Sequence, residues 1–468
     1  MLITISNRLP VSVVRREQSL HFESSVGGLA TGLAQYVKSE PSAWVGWPGI
    51  PLSRISDGER AGIRERLKQE SCHPVFLTGY EVENFYYGFA NRTIWPLFHY
   101  FPLHTTYNKT FWAVYEKVNA KFADAVAEIL RPGDTVWVHD YHLLLLPEMI
   151  RRRRPEASIG FFLHIPFPSY ELFRLLPWRE EILRGLLGAD LVGFHTESYG
   201  RHFLESVSAI LGHETRPGKI RTGNRTVAVG AFPMGIDSKR FSSAGSLPRV
   251  RREVEKIEKR SLDRKIILSV DRLDYTKGIP QRIEAYDLFL ERNPEWREKV
   301  TFILIAVPSR TAVPAYAQLK KSVDESIGRI SGRFGTIGWV PIWYLYRALP
   351  FETLAAHYRA ADVCLVTPLR DGMNLVAKEY LACRDEGDGV LVLSEMAGSA
   401  EELSGSILVN PNNTDEIAEA IKEALCLSPE EQVRRNGPMR RRIAGHTVVR
   451  WAGDFLRELS RSRKETKA

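Results

Sequence analysis

Two stretches in the second half of the chain hold the residues best suited to chemistry. Ser269-Val-Asp-Arg-Leu-Asp-Tyr-Thr-Lys-Gly278 follows the apolar run Ile266–Leu268 and sets Arg272 and Lys277 in the loop beyond it. Thr367-Pro-Leu-Arg-Asp-Gly-Met-Asn-Leu-Val-Ala-Lys-Glu-Tyr380 follows the apolar run Val363–Val366 and sets Asp371, Gly372 and Glu379 where a helical pattern begins. Open parallel sheets bind ligands beyond the carboxyl ends of their strands. Two cations on one strand end and two carboxylates on another suit a ligand that carries a diphosphate and several hydroxyls, as a nucleotide sugar does. Carboxylate pairs for hydrolysis do not stand out, although Asp271 with Asp274 and Asp371 with Glu379 invite the thought. Hydrolysis needs two carboxyls flanking one bond, and here the carboxylates are mixed with Arg and Lys.

The first half offers weaker signals of the same kind. Gly27-Gly28 precedes the helical pattern Leu29–Val37 and could bring backbone N–H groups to a phosphate. It matches neither the dinucleotide fingerprint nor the Walker loop. Arg8 ends the first apolar run, where a scaffold would favour an apolar residue. Trp137-Val-His-Asp-Tyr-His142 puts polar groups on a strand end; His142 reads as a cap of the following helix, and Asp140 reads either as a cap or as a ligand contact. His164, in Phe161-Phe-Leu-His-Ile-Pro-Phe-Pro168, ends an apolar strand before a loop stiffened by two prolines, which suits a sugar-hydroxyl contact. Tyr86, Tyr87, Trp44, Trp47 and Trp95 make an aromatic region, mostly core, from which one or two rings could meet a sugar face. Val307-Pro-Ser-Arg310 adds a cation after the apolar run Phe302–Ala306.

These residues need a scaffold, and the pattern supplies one. Short apolar runs at Leu2–Ile5, Ala43–Gly46, Val136–His139, Ile159–His164 and Leu191–Phe194 predict strands, as do Ile266–Val270, Phe302–Ala306, Val363–Val366, Val390–Leu393 and Ile407–Val409. Helical patterns at Phe111–Leu130, Leu172–Leu187, Pro280–Arg292 and Asp415–Leu427 lie between them. The alternation predicts an α/β fold with parallel sheets covered on both faces. The length, 468 residues, exceeds one ordinary core. The Gly235–Pro248 stretch predicts a boundary, giving domains 1–238 and 239–468, with Arg249–Arg264 as a charged surface helix. Val448, Val449, Trp451, Ala452, Phe455, Leu456 and Leu459 share one face of a final amphipathic helix that must dock, with no third domain expected after it.

Lys and Arg outnumber Asp and Glu by 64 to 56, a net charge of +8. The excess gathers at Arg151–Arg154, read as a helix C-terminus, and in the tail from Arg434 on. No recognition-helix, zinc-finger or aromatic RNA-binding signature accompanies it, so nucleic acid is not expected. No apolar run is long enough to span a membrane, and the opening residues do not read as a signal peptide. Cys72, Cys364, Cys383 and Cys426 are scattered and lack metal-ligand spacing. Reduced thiols in the cytoplasm are the expectation.

Taken together, these motifs resemble the trehalose-6-phosphate synthases, a family of retaining glycosyltransferases with two Rossmann-like domains facing a deep cleft (GT-B). The likeness runs through Ser6-Asn-Arg-Leu-Pro10, Trp44-Val-Gly-Trp-Pro-Gly49, Trp95-Pro-Leu-Phe-His-Tyr100, Val138-His-Asp-Tyr-His142, Gly160–Pro168, Asp271–Gly278 and Thr367–Tyr380. The resemblance implies transfer of glucose from a nucleotide-glucose to glucose 6-phosphate; UDP-glucose is the first expectation, with adenosine and guanosine left open as the base because backbone groups often read it. Arg272 and Lys277 would hold the donor diphosphate with the Gly28 N–H, and Glu379 the ribose. Asp371, the backbone of Gly372, Met373, Asn374 and Leu375, and His164 would hold the donor glucose. Arg8, Tyr86 and Arg310 would grip the acceptor phosphate, Asp140 would face the acceptor sugar, and Trp47 or Trp95 would line its pocket. No metal or other cofactor is implied, and the partners are the small-molecule substrates, with self-association left open. The final helix would dock back toward the N-terminal domain. Tyr87, and Arg92 within Ala90-Asn-Arg-Thr93, depart from the family pattern beside the acceptor pocket; glycerol 3-phosphate is the alternative acceptor, and a non-catalytic sugar-phosphate sensor a more distant one. The family's frequent phosphatase domain is not seen, so the phosphorylated product would be the end point.

Overall fold

The computed structural model describes residues 1–17, 19–24, 41–310 and 313–467. The chain forms two compact units, Met1–Met234 with Val448–Ala468, and Gly235–Thr447. The division falls a few residues before the expected one because Ile236 packs with Val250, Ile266 and Leu268 in the second unit's core. The final helix, Val448–Lys467, belongs to the first unit and not to the second domain in which the sequence boundaries had included it.

Eleven strands lie in the described part of the first unit: β1 Leu2–Arg8, β2 Val11–Arg16, β3 Ser19–Ser24, β4 Ser42–Trp47, β5 Cys72–Pro74, β6 Thr135–His139, β7 Ser158–Phe162, β8 Leu191–Phe194, β9 Thr215–Arg216, β10 Lys219–Thr222 and β11 Arg225–Ala231. Nine form one sheet in the order β5-β4-β1-β6-β7-β8-β11-β10-β9, parallel except at the β11-β10-β9 edge. β2 and β3 make a separate antiparallel pair. The central strands are continuous apolar runs because both faces are covered. One cover is the final helix. Trp137 of β6 stacks on Phe455 at 4.7 Å, and Trp451 meets Phe162 of β7 edge to face at 5.0 Å. Glycines 160 and 193 make that approach possible, since a Cβ on either would stand 2.7 Å from the Phe455 ring.

The second unit holds β12 Lys265–Arg272, β13 Val300–Val307, β14 Ile342–Leu345, β15 Val363–Val366, β16 Val390–Ser394 and β17 Ile407–Val409. All are parallel, in the order β14-β13-β12-β15-β16-β17. Side chains alternate between two cores. Ile267, Leu304 and Leu365 meet the helices Ile279–Arg292 and Thr414–Cys426 on one face. Ile266, Leu268 and Cys364 meet Pro248–Ser261, Phe351–Ala360 and Leu375–Cys383 on the other.

The ten expected strands are all present, and β2, β3, β5, β9, β10, β11 and β14 join them. The helix expected over Leu172–Leu187 is two, Tyr170–Phe173 and Arg179–Leu186. Pro177 disfavours helical backbone at the residue before it and offers no N–H of its own. The parallel part of each sheet reverses its strand order once, between β1 and β6 in the first unit and between β12 and β15 in the second. Those switch points are where open α/β sheets place ligands.

Candidate functional site

At the second unit's switch point, the loops after β12 and β15 are knitted together. Gly278 has φ +67°, and a Cβ there would lie 2.2 Å from the Thr367 carbonyl oxygen. Only glycine allows that approach. The Leu369 N–H donates to the Thr276 carbonyl at 2.8 Å. Arg272 closes β12 with an exposed side chain, while Lys277 is buried and ion-paired through Nζ to Asp371 Oδ2. Asn374 Nδ2 donates to the same oxygen at 3.0 Å. Its backbone sits at φ 67°, a costly conformation for a residue with a side chain, immediately before the helix Leu375–Cys383. The Ser399 N–H donates to the Met373 carbonyl at 2.8 Å and fixes the Gly372–Asn374 turn. Glu379, half-buried on that helix, accepts from the Tyr358 hydroxyl at 2.8 Å. Burial raises its pKa, opposed by the Tyr358 bond and by Arg240.

Two buried residues hold these loops, and sequence reasoning missed the role of both. Arg282, fully buried, pairs with Asp271 at 2.7 Å and donates to Thr367 Oγ1 at 2.9 Å, to Ser269 Oγ and to the Lys277 carbonyl. Asp274, also fully buried, accepts from Thr276 N and Oγ1, from Tyr316 Oη at 2.9 Å and from Arg310 Nη1 at 2.5 Å. Burial pushes the Asp274 carboxyl up; the Arg310 and Arg272 guanidiniums outweigh it, and the pKa falls to about 2. Arg310, expected as a phosphate contact, is thus engaged by Asp274 and Tyr316, with its backbone at φ 45°. The only sequence signal for Arg282 is a charge on an otherwise core-facing helix position.

At the first unit's switch point, the Arg8 guanidinium lies 4.1 Å over the Trp47 ring and 5.9 Å from that of Tyr86. Burial lowers its pKa, and Tyr86 and Tyr87 oppose the shift. Gly49, at φ +92°, leaves room for it; a Cβ would stand 2.3 Å from Arg8 Nη1. Tyr86 and Tyr87 lie on a π-helical segment, Val82–Ile94, a geometry enriched at functional sites. The Tyr86 ring stacks on His142 at 5.7 Å with a 9° tilt. His142 belongs to a 3₁₀ turn, Tyr141–Leu143, without a side-chain cap, so the capping expected of His142 or Asp140 does not occur. Asp140 instead adopts φ 74° and accepts the His164 N–H at 3.2 Å. His164 Nε2 lies 3.1 Å from His139 Nδ1. Trp47 and Trp95 are buried, Trp47 donating to the Ile50 carbonyl at 3.1 Å and Trp95 packing on His99 and Tyr141. Gly27, Gly28 and the Leu29–Val37 pattern lie outside the described residues. Among the described residues, no group of three His, Cys, Asp or Glu side chains is placed to hold a metal, and no helix is long and apolar enough to cross a membrane.

Two Rossmann-like units with polar clusters at their switch points are the build of a GT-B glycosyltransferase. The comparisons with known proteins define the family: the chain belongs to Glycosyltransferase family 20, whose model matches residues 1–461. It is 48% identical over 98% of its length to a bifunctional trehalose-6-phosphate synthase/phosphatase of Thermoproteus tenax, and spans 63% of that protein. It is 43% identical over 98% of its length to the UDP-forming alpha,alpha-trehalose-phosphate synthase of Botryotinia fuckeliana, spanning 88% of it. The crystal structure of the UDP-forming synthase from Burkholderia xenovorans in complex with glucose-6-phosphate matches with a TM-score of 0.89 and 34% identity, over 98% of this chain and 99% of that one.

Proposed function

We propose that this protein transfers glucose from UDP-glucose to glucose 6-phosphate with retention of anomeric configuration, forming α,α-trehalose 6-phosphate and UDP. The observation that carries the reading is the knitted loop pair of the second unit, in which Arg272, Lys277, Asp371 and Asn374 stand at one switch point beside a helix N-terminus. Cations and a helix N-terminus suit a diphosphate, and a carboxylate with an amide suits sugar hydroxyls. The UDP-forming synthase of Botryotinia fuckeliana and the glucose-6-phosphate complex of the Burkholderia xenovorans enzyme support uridine as the base and glucose 6-phosphate as the acceptor.

In this reading the second unit takes the donor. Its Arg272 and Lys277 oppose the diphosphate charge, Glu379 takes the ribose, and Asp371 and the Gly372–Leu375 backbone take the glucose; the family resemblance adds Gly28 and His164 of the first unit as further donor contacts. The first unit takes the acceptor sugar through Asp140, with Trp47 and Trp95 behind it; Arg8, Tyr86 and Arg310 take its phosphate. The glucose C1–O bond to the diphosphate breaks as the acceptor hydroxyl oxygen bonds to C1. The departing phosphate oxygen, on the same face, takes the hydroxyl proton. Charge grows on the diphosphate, so the protein contributes positioning and preorganised cations, with no metal required. The buried thiols of Cys72, Cys364 and Cys383 fit a reducing cytosolic setting. A donor and acceptor panel assayed by nucleoside diphosphate release tests the proposal. The highest kcat/KM should belong to UDP-glucose with glucose 6-phosphate; a higher value for glycerol 3-phosphate, or equal use of free glucose, overturns it.

A further inference from the structure

We propose that His139 is a positioning residue that fixes the tautomer of His164, so that His164 presents an Nδ1–H donor to the donor sugar. The inference rests on the reading of His164 as a donor-glucose contact. It starts from a pair of imidazoles. His139 ends β6 and is fully buried; its Nδ1 lies 3.1 Å from Nε2 of His164, with the rings 5.4 Å apart. Trp451 of the final helix sits against both, at 6.4 and 5.8 Å. Trp137 flanks His139 at 4.5 Å, and Phe162 flanks His164 at 4.8 Å. The rings therefore have little freedom to turn.

One proton lies between the two facing nitrogens, and its owner decides what His164 shows on its other side. Burial holds both rings well below the ordinary histidine pKa, so both are neutral and each carries one N–H. The second nitrogen of His139, Nε2, is buried and has no hydrogen-bond partner. Were the shared proton on His164 Nε2, the proton of His139 would have to sit on that partnerless atom. Buried N–H groups without an acceptor are rare. With the proton on His139 Nδ1, the partnerless atom is only a bare nitrogen. His139 then donates, His164 Nε2 accepts, and the proton of His164 resides on Nδ1. That is the less common tautomer of free imidazole. Half-exposed His164 thereby offers a donor, where the other tautomer would offer a lone pair. Its main chain is anchored separately by the bond from its N–H to Asp140 Oδ1. Ring chemistry and backbone position are thus set by adjacent residues of one strand end.

The test uses full-length protein labelled with ¹⁵N-histidine. Long-range proton–nitrogen spectra of the unliganded wild type should show His164, assigned by its loss in His164→Asn, with a protonated Nδ1 and a bare Nε2. An Nε2–H form would overturn the proposal without recourse to any variant. His139→Leu should leave His164 a mixture of tautomers and lower kcat/KM for UDP-glucose by about tenfold, a typical cost of losing a residue that orients a site group. His139→Asn, whose amide nitrogen can stand near the place of Nδ1, should restore both the spectrum and most of the rate. His139→Gln, whose nitrogen matches Nε2, should restore neither. Equal recovery in Asn and Gln, or a Leu variant with wild-type kinetics, overturns the proposal. If the tautomer is as stated but His164→Asn transfers like wild type, the sugar contact fails and the His139 assignment stands.

Discussion

Replacing Arg282 by methionine tests whether one buried guanidinium holds the loops after β12 and β15. Methionine keeps much of the volume and removes the charge. The guanidinium is fully buried and reaches four groups: Asp271 at 2.7 Å, Thr367 Oγ1 at 2.9 Å, Ser269 Oγ and the Lys277 carbonyl. These span β12, the loop after it and the end of β15. The variant strands the Asp271 carboxylate in the interior, and breaking a buried pair in this way costs about 3–5 kcal/mol. For a unit the size of Gly235–Thr447, each kcal/mol shifts Tm by roughly 2–4 °C, so a fall of about 6–20 °C is expected. The pH dependence gives a second signature. Burial already raises the Asp271 pKa, and Arg282 is the largest influence opposing it. Its removal raises that pKa further. A carboxyl with a raised folded pKa binds more protons folded than unfolded, so stability falls as pH rises from about 3.9, the unfolded value, through the folded value. The deficit of the variant should therefore be fullest near neutrality and shrink toward pH 4. Urea and thermal unfolding across that range measure it, and adding Asp271→Asn should recover part of the loss. A deficit below about 1 kcal/mol at pH 7, or one that grows on acidification, refutes the reasoning.

Arg272→Ala and Lys277→Ala should each lower transfer by about thirty- to several-thousand-fold, the cost of removing one partner of a charged contact that the bound diphosphate would bury; near-normal turnover at saturating donor would remove these residues from the diphosphate site. Arg8→Ala should raise the KM for glucose 6-phosphate by about tenfold or more and leave that for UDP-glucose nearly unchanged; steady-state kinetics showing equal effects on both would place Arg8 elsewhere. Transfer should survive excess EDTA, because cations of the chain oppose the diphosphate charge; full loss restored by magnesium would sink the metal-free mechanism. Gly160→Ala should destabilise the first unit by about 1–3 kcal/mol, since its new Cβ would meet Phe455 at 2.7 Å; unchanged urea unfolding would show that the final helix yields.

The sheets were legible because strands buried on both faces are unbroken apolar runs, as at Ile266–Val270 and Val363–Val366. Their carboxyl ends exposed Arg272, Lys277 and Asp371 by simple chain order. The edge strand β9 and its neighbour β10 gave no such run, because that end of the sheet is largely solvated and Ile220 is its one buried side chain. The π-helical segment at Val82–Ile94 was invisible, since its widened turns follow from packing and have no period of their own in the sequence. Arg282 and His139 were hidden for a related reason. A charge on a helix or a histidine in a strand reads as ordinary until the partners arrive, and Thr367 comes 85 residues after Arg282. Arg310 was found as a cation near a strand end, but its engagement by Asp274 depends on a turn at φ 45° that sequence does not announce.

The final helix also constrains biosynthesis. The sheet of the first unit is written within the first 234 residues, yet the face at Gly160 and Gly193 is closed by Phe455, from the far side of an entire intervening unit. At roughly 5–20 residues per second, a ribosome needs about ten to forty seconds to traverse that unit. Throughout that interval the nascent sheet carries Trp137 and Phe162 without their cover. The second unit, by contrast, is contiguous and can close as soon as it emerges. The order of completion is thus the reverse of the order of synthesis, and a nascent chain stalled before Val448 should be the species that chaperones bind.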